Sequence, residues 1–280
     1  MKIVTKLMVF FIVTQLLGFV TAFVILGDMA ANPLVQSFMV TGDSSDPLNA
    51  LFFLGYVLAG AVGIVVLIRY FHLNKIIFRI LEFVLISSAT SIVFYSIFRI
   101  IGIAYMESTL IGIILGLTLA VGKYLKPELK NISAIIATAG VGTIFGISMG
   151  VVPIILFLVA LSVYDALSVF VTKHMIEIAN YVVSQDLAFT VTAKERIAGK
   201  KEEQRLDLGT GDMVAPVAFE ISALTYYHPY AALMIFLGAV TSFGIFIVLV
   251  WNKKIVLPAL PPIVAGMVVF FLIGLLLGMY

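Results

Sequence analysis

From one end to the other, the chain is a succession of apolar runs of about twenty residues, the length an α-helix needs to cross a bilayer. Few folds accommodate such a series. A length of 280 residues would suit one or two soluble domains, but 62% of the residues are hydrophobic and 11% are charged. Ordinary soluble domains carry about 25% charged residues. The chain therefore reads as an all-α polytopic membrane protein embedded in a lipid bilayer, multi-pass in the cell membrane.

The runs cover roughly Leu7 to Leu26, Leu48 to Ile68, Ile80 to Phe98, Thr109 to Tyr124, Ile132 to Met149 and Val151 to Val171. After a long polar loop, a seventh starts near Leu208, an eighth covers Ala231 to Trp251 and a ninth Leu257 to Met279. The first run is too long for the apolar region of a secretory signal and reads as a retained span. Nine spans result, in three parts: a six-helix membrane half over 1–171, a cytoplasmic polar loop over 172–207 and a three-helix membrane half over 208–280. Lys and Arg concentrate in every second connection, from Lys2 and Lys6 through Arg69–Arg79, Lys123–Lys130 and Lys194–Arg205 to Lys253–Lys254. By the positive-inside rule the N-terminus is cytoplasmic and the C-terminus extracytoplasmic.

Several chemistries drop out at once. The chain has no cysteine, so it has no disulfides, thiol nucleophiles or Fe–S clusters. His72, His174 and His228 lack metal-ligand spacing, and no metal or other cofactor is expected. A net charge of +2 makes no case for nucleic acid.

Two carboxylates stand out. Asp165 follows Tyr164 deep in the sixth run, and Asp212 sits just inside the seventh, behind Gly209-Thr210-Gly211. Carboxylates within a membrane span are costly and mark functional sites by default. Span six runs inward and span seven outward, which puts both carboxylates roughly 7–10 Å below the cytoplasmic surface. They meet if the two spans pack side by side. Close together in a poorly solvated site they cannot both ionise cheaply, so they share a proton. One member then draws a proton from water while the other polarises a peptide carbonyl, as in aspartic proteases. The depth match alone leaves separate helix-packing or ion-pathway roles open. Gly209 and Gly211 would allow close backbone approach and unusual conformations beside Asp212. Pro258-Ala259-Leu260-Pro261-Pro262 begins the ninth span at similar depth, where clustered prolines disfavour regular helix.

In this order, Tyr164-Asp165, Gly209-Thr210-Gly211-Asp212 and Pro258-Ala259-Leu260 resemble the Y-D, G-x-G-D and P-A-L motifs of the presenilin and signal peptide peptidase family of intramembrane aspartyl proteases. The cytoplasmic N-terminus resembles the presenilin branch, and the short chain looks like a microbial, archaeal homologue. The resemblance implies that Asp165 and Asp212 are the catalytic pair. It also implies that Tyr164, Gly209, Thr210, Gly211, Pro258, Ala259 and Leu260 support the site or bind substrate. The implied activity is hydrolysis of peptide bonds in transmembrane helices of other membrane proteins. Thr210 stands where the family usually has leucine, which bears on substrate preference more than on chemistry. Presenilins act with partner subunits; this sequence points to no required one, and a homo-oligomer is compatible with it. The competing reading is a transporter or ion channel using Asp165 and Asp212 as coupling groups at broken helices, against which stand the absence of an internal repeat and the near-cytoplasmic depth of the pair.

Other signals read as packing or interface. Gly146-Ile147-Ser148-Met149-Gly150 fits the serine hydrolase elbow, but it lies within span five and extends to Gly142 at four-residue spacing, which suits close helix packing. Gly112/Gly116 and Gly274/Gly278 read likewise. Glu107 is expected at the outer interface, and Glu220 near the outer end of a short span seven, with a place along a water path as the alternative. The loop Thr172–Asp207 is expected to be a connector with an interfacial helix in its apolar half, Met175 to Val191, and open to self-cleavage.

Overall fold

The computed structural model describes residues 2–29, 40–70, 75–172, 187–196, 203–253 and 257–280. Within them the apolar runs coil into helices: α1 Lys2–Met29, α2 Leu48–Tyr70, α3 Lys75–Ile100, α4 Tyr105–Leu125, α5 Lys130–Ser148, α6 Val151–Leu167, α7 Thr210–Tyr226, α8 Pro229–Lys253 and α9 Leu260–Leu276. Among the described residues, six segments are long and apolar enough to cross a membrane: Ile3–Met29, Ile76–Ile100, Tyr105–Leu125, Pro127–Ser148, Val151–Val171 and Pro229–Trp251. The protein is an integral, multi-pass membrane protein. His72, His174 and most of the apolar half of the long loop, with its expected interfacial helix, lie outside the described residues.

The helices do not pack as a simple ring. α5 and α7 run through the middle: α5 contacts α1, α3 and α7, while α7 contacts α1, α5, α6, α8 and α9. Small residues make this possible. A Cβ on Gly142 would lie 2.5 Å from Val217 Cγ1, and one on Gly146 would lie 2.6 Å from Ile221 Cβ. The glycine stripe in α5 is the face against α7, and the Ser148 hydroxyl accepts the Val40 N–H at 3.0 Å. Gly112 and Gly116 likewise bring α4 onto the α3 backbone. Gly274 and Gly278 differ from expectation. Gly278 ends α9 at φ +66, a conformation that favours glycine, and Tyr280 folds back onto Gly274. Gly274 therefore makes room for the Tyr280 ring and Gly278 for the turn after α9, rather than for a neighbouring helix.

The all-α expectation needs one correction. Thr190–Arg196 (β1) and Glu203–Gly209 (β2) pair as an antiparallel sheet, with Thr190 opposite Gly209 and Thr192 opposite Asp207. Its physical basis is alternation. Val191 and Ala193 pair with Leu208 and Leu206 on one face, and Val191, Ala193 and Leu208 join the main core beside Ile3 and Leu7 of α1. The other face is polar: the Thr192 hydroxyl donates to Asp207, which Arg205 also holds at 2.7 Å. Asn131, at the start of α5, covers the outer edge of β1. Its amide donates to the Thr192 carbonyl at 2.8 Å, and its oxygen accepts the Thr192 N–H at 2.9 Å. Leu208 and Gly209 thus belong to a strand, and α7 begins at Thr210.

Two other expectations about polar groups change. Lys123 and Lys130, in the basic connection after span four, are both buried. Asp28, two residues beyond the first apolar run Leu7 to Leu26, lies in the last turn of α1 and is held by Tyr95 and Arg99 of α3.

Candidate active site

Asp165 and Asp212 come from adjacent helices, as α6 and α7 pack side by side. Asp165 occupies the last turn of α6, and the helix widens into a π turn, Ser168–Thr172, immediately after it. The Ser168 hydroxyl donates to the Asp165 carbonyl at 2.8 Å. Asp212 is the third residue of α7, where the unpaired N–H groups of a first turn favour a negative side chain. Pro216, one turn on, has no N–H to give the Asp212 carbonyl, so the helix ladder is interrupted just below the carboxylate.

Both aspartates line one cavity of about 380 Å³, with Asp212 within electrostatic reach of Asp165. The lining is otherwise almost wholly apolar, including Val57 of α2, Leu85 of α3, Phe145 of α5, Phe157 of α6 and Ala215 of α7. Asp165 is 8% exposed, and its Oδ2 has no hydrogen-bond partner among the described residues. Tyr164 and Thr210 also line the cavity.

The two glycines act differently from expectation. Neither has a left-handed backbone: Gly209 is extended at φ −64, ψ 139, and Gly211 lies in the first turn of α7. Their role is spatial. A Cβ on Gly209 would stand 3.2 Å from Asp212 Oδ2, crowding the carboxylate, whereas one on Gly211 would meet nothing within 4 Å and would project from the cavity lining. The proline cluster also differs from the irregular backbone expected. Pro258 and Ala259 precede α9, but Leu260, Pro261 and Pro262 form its first turn, where a missing N–H costs nothing. Because Pro261 and Pro262 lack an N–H, Leu260 supplies the one free amide of those first three helical positions. That amide interacts with the Asp165 carboxyl group, and the Leu260 side chain lines the cavity.

Residues 8–279 match the model of the family described as signal-peptide peptidase, presenilin aspartyl protease. The chain belongs to this family. It is an aspartic endopeptidase by that membership, and intramembrane proteolysis is the activity of the family. Its fold is similar to two solved structures of a presenilin family intramembrane aspartate protease. One, in a C222 crystal form, has a TM-score of 0.70 and 23% identity over 98% of this chain and 99% of that chain. The other, in a P2 crystal form, has a TM-score of 0.65 and 25% identity over 95% of this chain and 96% of that one. No curated protein matches the sequence.

The structure also departs from the sequence reading at Glu220. It does not sit at an outer interface: its residue is 0% exposed in the middle of α7, and neither carboxyl oxygen has a partner among the described residues. It is not part of the cavity lining. Two contributors were missed altogether. Ala188 and Phe189, just before β1, line the cavity, and the Phe189 carbonyl accepts both the N–H and the hydroxyl of Thr210, at 3.0 and 3.1 Å. Alternation of Val191 and Ala193 with polar neighbours was the sequence signal for the strand that carries them there.

Proposed function

We propose that this protease hydrolyses peptide bonds within transmembrane helices of membrane-protein substrates, with Asp165 and Asp212 as the reacting pair. The observation that carries this reading is the convergence of both aspartates on one apolar cavity, beside a free backbone amide. An apolar wall suits the side chains of a membrane segment, and two carboxylates are the polar groups that peptide hydrolysis requires there. The ionised member takes a proton from a water molecule, whose oxygen attacks the scissile carbonyl. The protonated member gives its proton to the carbonyl oxygen, forming a tetrahedral diol. Collapse of the diol passes a proton to the departing nitrogen and restores the shared-proton state. Gly209 and Gly211 leave room for substrate backbone beside Asp212. The Leu260 amide fixes Asp165, and Pro258 and Ala259 hold the start of α9 in place for it. No cofactor has a part in this chemistry.

The same proposal includes nine spans in the cell membrane, a cytoplasmic N-terminus and a cytoplasmic hairpin. The three shortest helices, α6, α7 and α9, of 17 residues each, are then the spans whose ends meet polar surroundings near the site. Cysteines placed singly at Ser44 and Lys194 should be labelled by an impermeant reagent from opposite sides; labelling from one side would overturn the nine-span plan. The function itself is tested with detergent-purified protein and a single-span substrate, reading product masses. Products cut within the span support it. Intact substrate, or cuts confined to flanking soluble segments, would contradict it.

A further inference from the structure

Glu82 on α3 and Lys123 near the end of α4 are both buried, and neither takes part in the chemistry above. Lys123 Nζ donates to Glu82 Oε1 across the α3–α4 seam. An ion pair withdrawn from water is a poor device for simply holding helices together. Apolar residues of similar volume serve packing as well or better. The Gly112 and Gly116 contacts already bring these two helices onto each other.

A third contact makes sense of the pair. Glu82 Oε1 also accepts the backbone N–H of Ala188, a residue of the cavity wall. Leu187 is buried against Phe78, one turn before Glu82, with Ile64 and Phe189 packed beside them. Phe189, in turn, receives the N–H and hydroxyl of Thr210, two residues before Asp212. A continuous chain of contacts thus runs from Lys123 through Glu82, Ala188 and Phe189 to Thr210. It links the α3–α4 pair, far along the sequence, to the helix end that carries Asp212.

We propose that Glu82 and Lys123 are positioning residues: Lys123 orients the Glu82 carboxylate, which fixes Ala188–Phe189 and through them the first turn of α7. This rests on the reading of Asp212 as one of the reacting pair. A carboxylate suits the task because one oxygen serves a cation and an amide together, each as a charge-assisted hydrogen bond.

The test uses the full chain, a single-span substrate and two variants. Breaking one partner of a buried pair risks unfolding, so the removal variant is the double change Glu82→Met/Lys123→Met, which leaves no lone charge. Glu82→Gln keeps an acceptor for Ala188 but leaves the Lys123 charge unneutralised, so its kcat is read per folded molecule at a temperature below its melting transition. Melting temperature, cleavage kinetics and hydrogen–deuterium exchange at the Ala188 and Thr210 amides are measured together. The double variant should lose about tenfold or more in kcat with KM little changed. Its Ala188 and Thr210 amides should exchange about tenfold faster or more, at a melting temperature near that of wild type. Glu82→Gln should keep kcat within about threefold of wild type. Unchanged exchange at both amides in the double variant would overturn the proposal, whatever happens to its stability. So would unchanged kcat alongside faster exchange, because the contact would then hold the wall without serving the reaction. If wild type itself failed to cleave, the reading of the reacting pair would fall, while exchange would still decide whether Glu82 and Lys123 hold the wall.

Discussion

Asp28 and Asp165 are both carboxylates buried in a membrane protein, and their surroundings are opposite. Every oxygen of Asp28 is occupied. Oδ2 accepts from the Tyr95 hydroxyl at 2.6 Å and from Arg99 Nε at 2.7 Å, and Oδ1 accepts from Arg99 Nη2 at 2.8 Å. Arg99 is itself stacked 3.9 Å over the Tyr105 ring and donates to the Ile103 carbonyl. Asp165 has the Leu260 amide on its carboxyl group, an oxygen with no partner among the described residues, and a cavity in front of it. A carboxylate that ties helices together is saturated by its partners. One that is to meet a substrate is left with an open valence and space. This contrast supports the proposal that Asp165 and Asp212 carry the chemistry, while Asp28 serves stability.

The contrast can be broken from the structural side first. Asp28→Ala should cost about 3–5 kcal/mol, because it strands Arg99 beside Tyr95 in a half-buried site. The folded fraction should cleave substrate with unchanged kcat, read by activity against melting temperature. Loss of kcat without loss of stability would place Asp28 in the wrong class. Glu220 sharpens the comparison. Like Asp165 it has a carboxyl oxygen with no partner among the described residues, but it does not line the cavity that Asp165 and Asp212 share, so an open valence alone should not make it functional. Glu220→Met should stabilise the protein by about 1–3 kcal/mol, by removing buried oxygens that make no hydrogen bond, and should leave cleavage intact. A collapse in activity would show that absence of a partner is by itself the functional mark. The smallest expected change tests what holds Asp165. Leu260→Pro removes the free amide at a helix position that tolerates proline. It should lower kcat by about tenfold, since a fixed donor in an apolar cavity outweighs the same bond in bulk solvent. Leu260→Ala, which keeps the amide, should be milder; equal losses would assign the effect to the side chain.

What the sequence made legible and what it did not divide along the same line. Asp165 and Asp212 stand out because each interrupts an apolar run, and a matched depth can be counted along a helix. The hairpin was obscured because β1 and β2 lie within a charged, loop-like stretch whose alternation is short. Asp28–Arg99 and Glu82–Lys123 were invisible for a different reason. Each partner lies on a separate helix, and each alone resembles an interfacial charge at the end of a span. Only packing shows that these charges are buried and paired. The conformations at Gly209 and Gly211 were misread because residue type permits a left-handed backbone without requiring it. What decides is the space beside the Asp212 carboxylate.

The central claim is that Asp165 and Asp212 act as one unit. Its most direct test is cleavage of a single-span substrate by purified Asp165→Asn, Asp212→Asn and the double variant, each shown to be folded by its melting temperature. The account predicts that both single changes lower kcat by about 10⁴-fold or more and that the double change is no worse, since groups that share one task are not additive. The amides should leave stability unchanged or higher, because each keeps the shape of the group it replaces. Either single variant cleaving within about tenfold of wild type, or a double variant markedly worse than both, would contradict it.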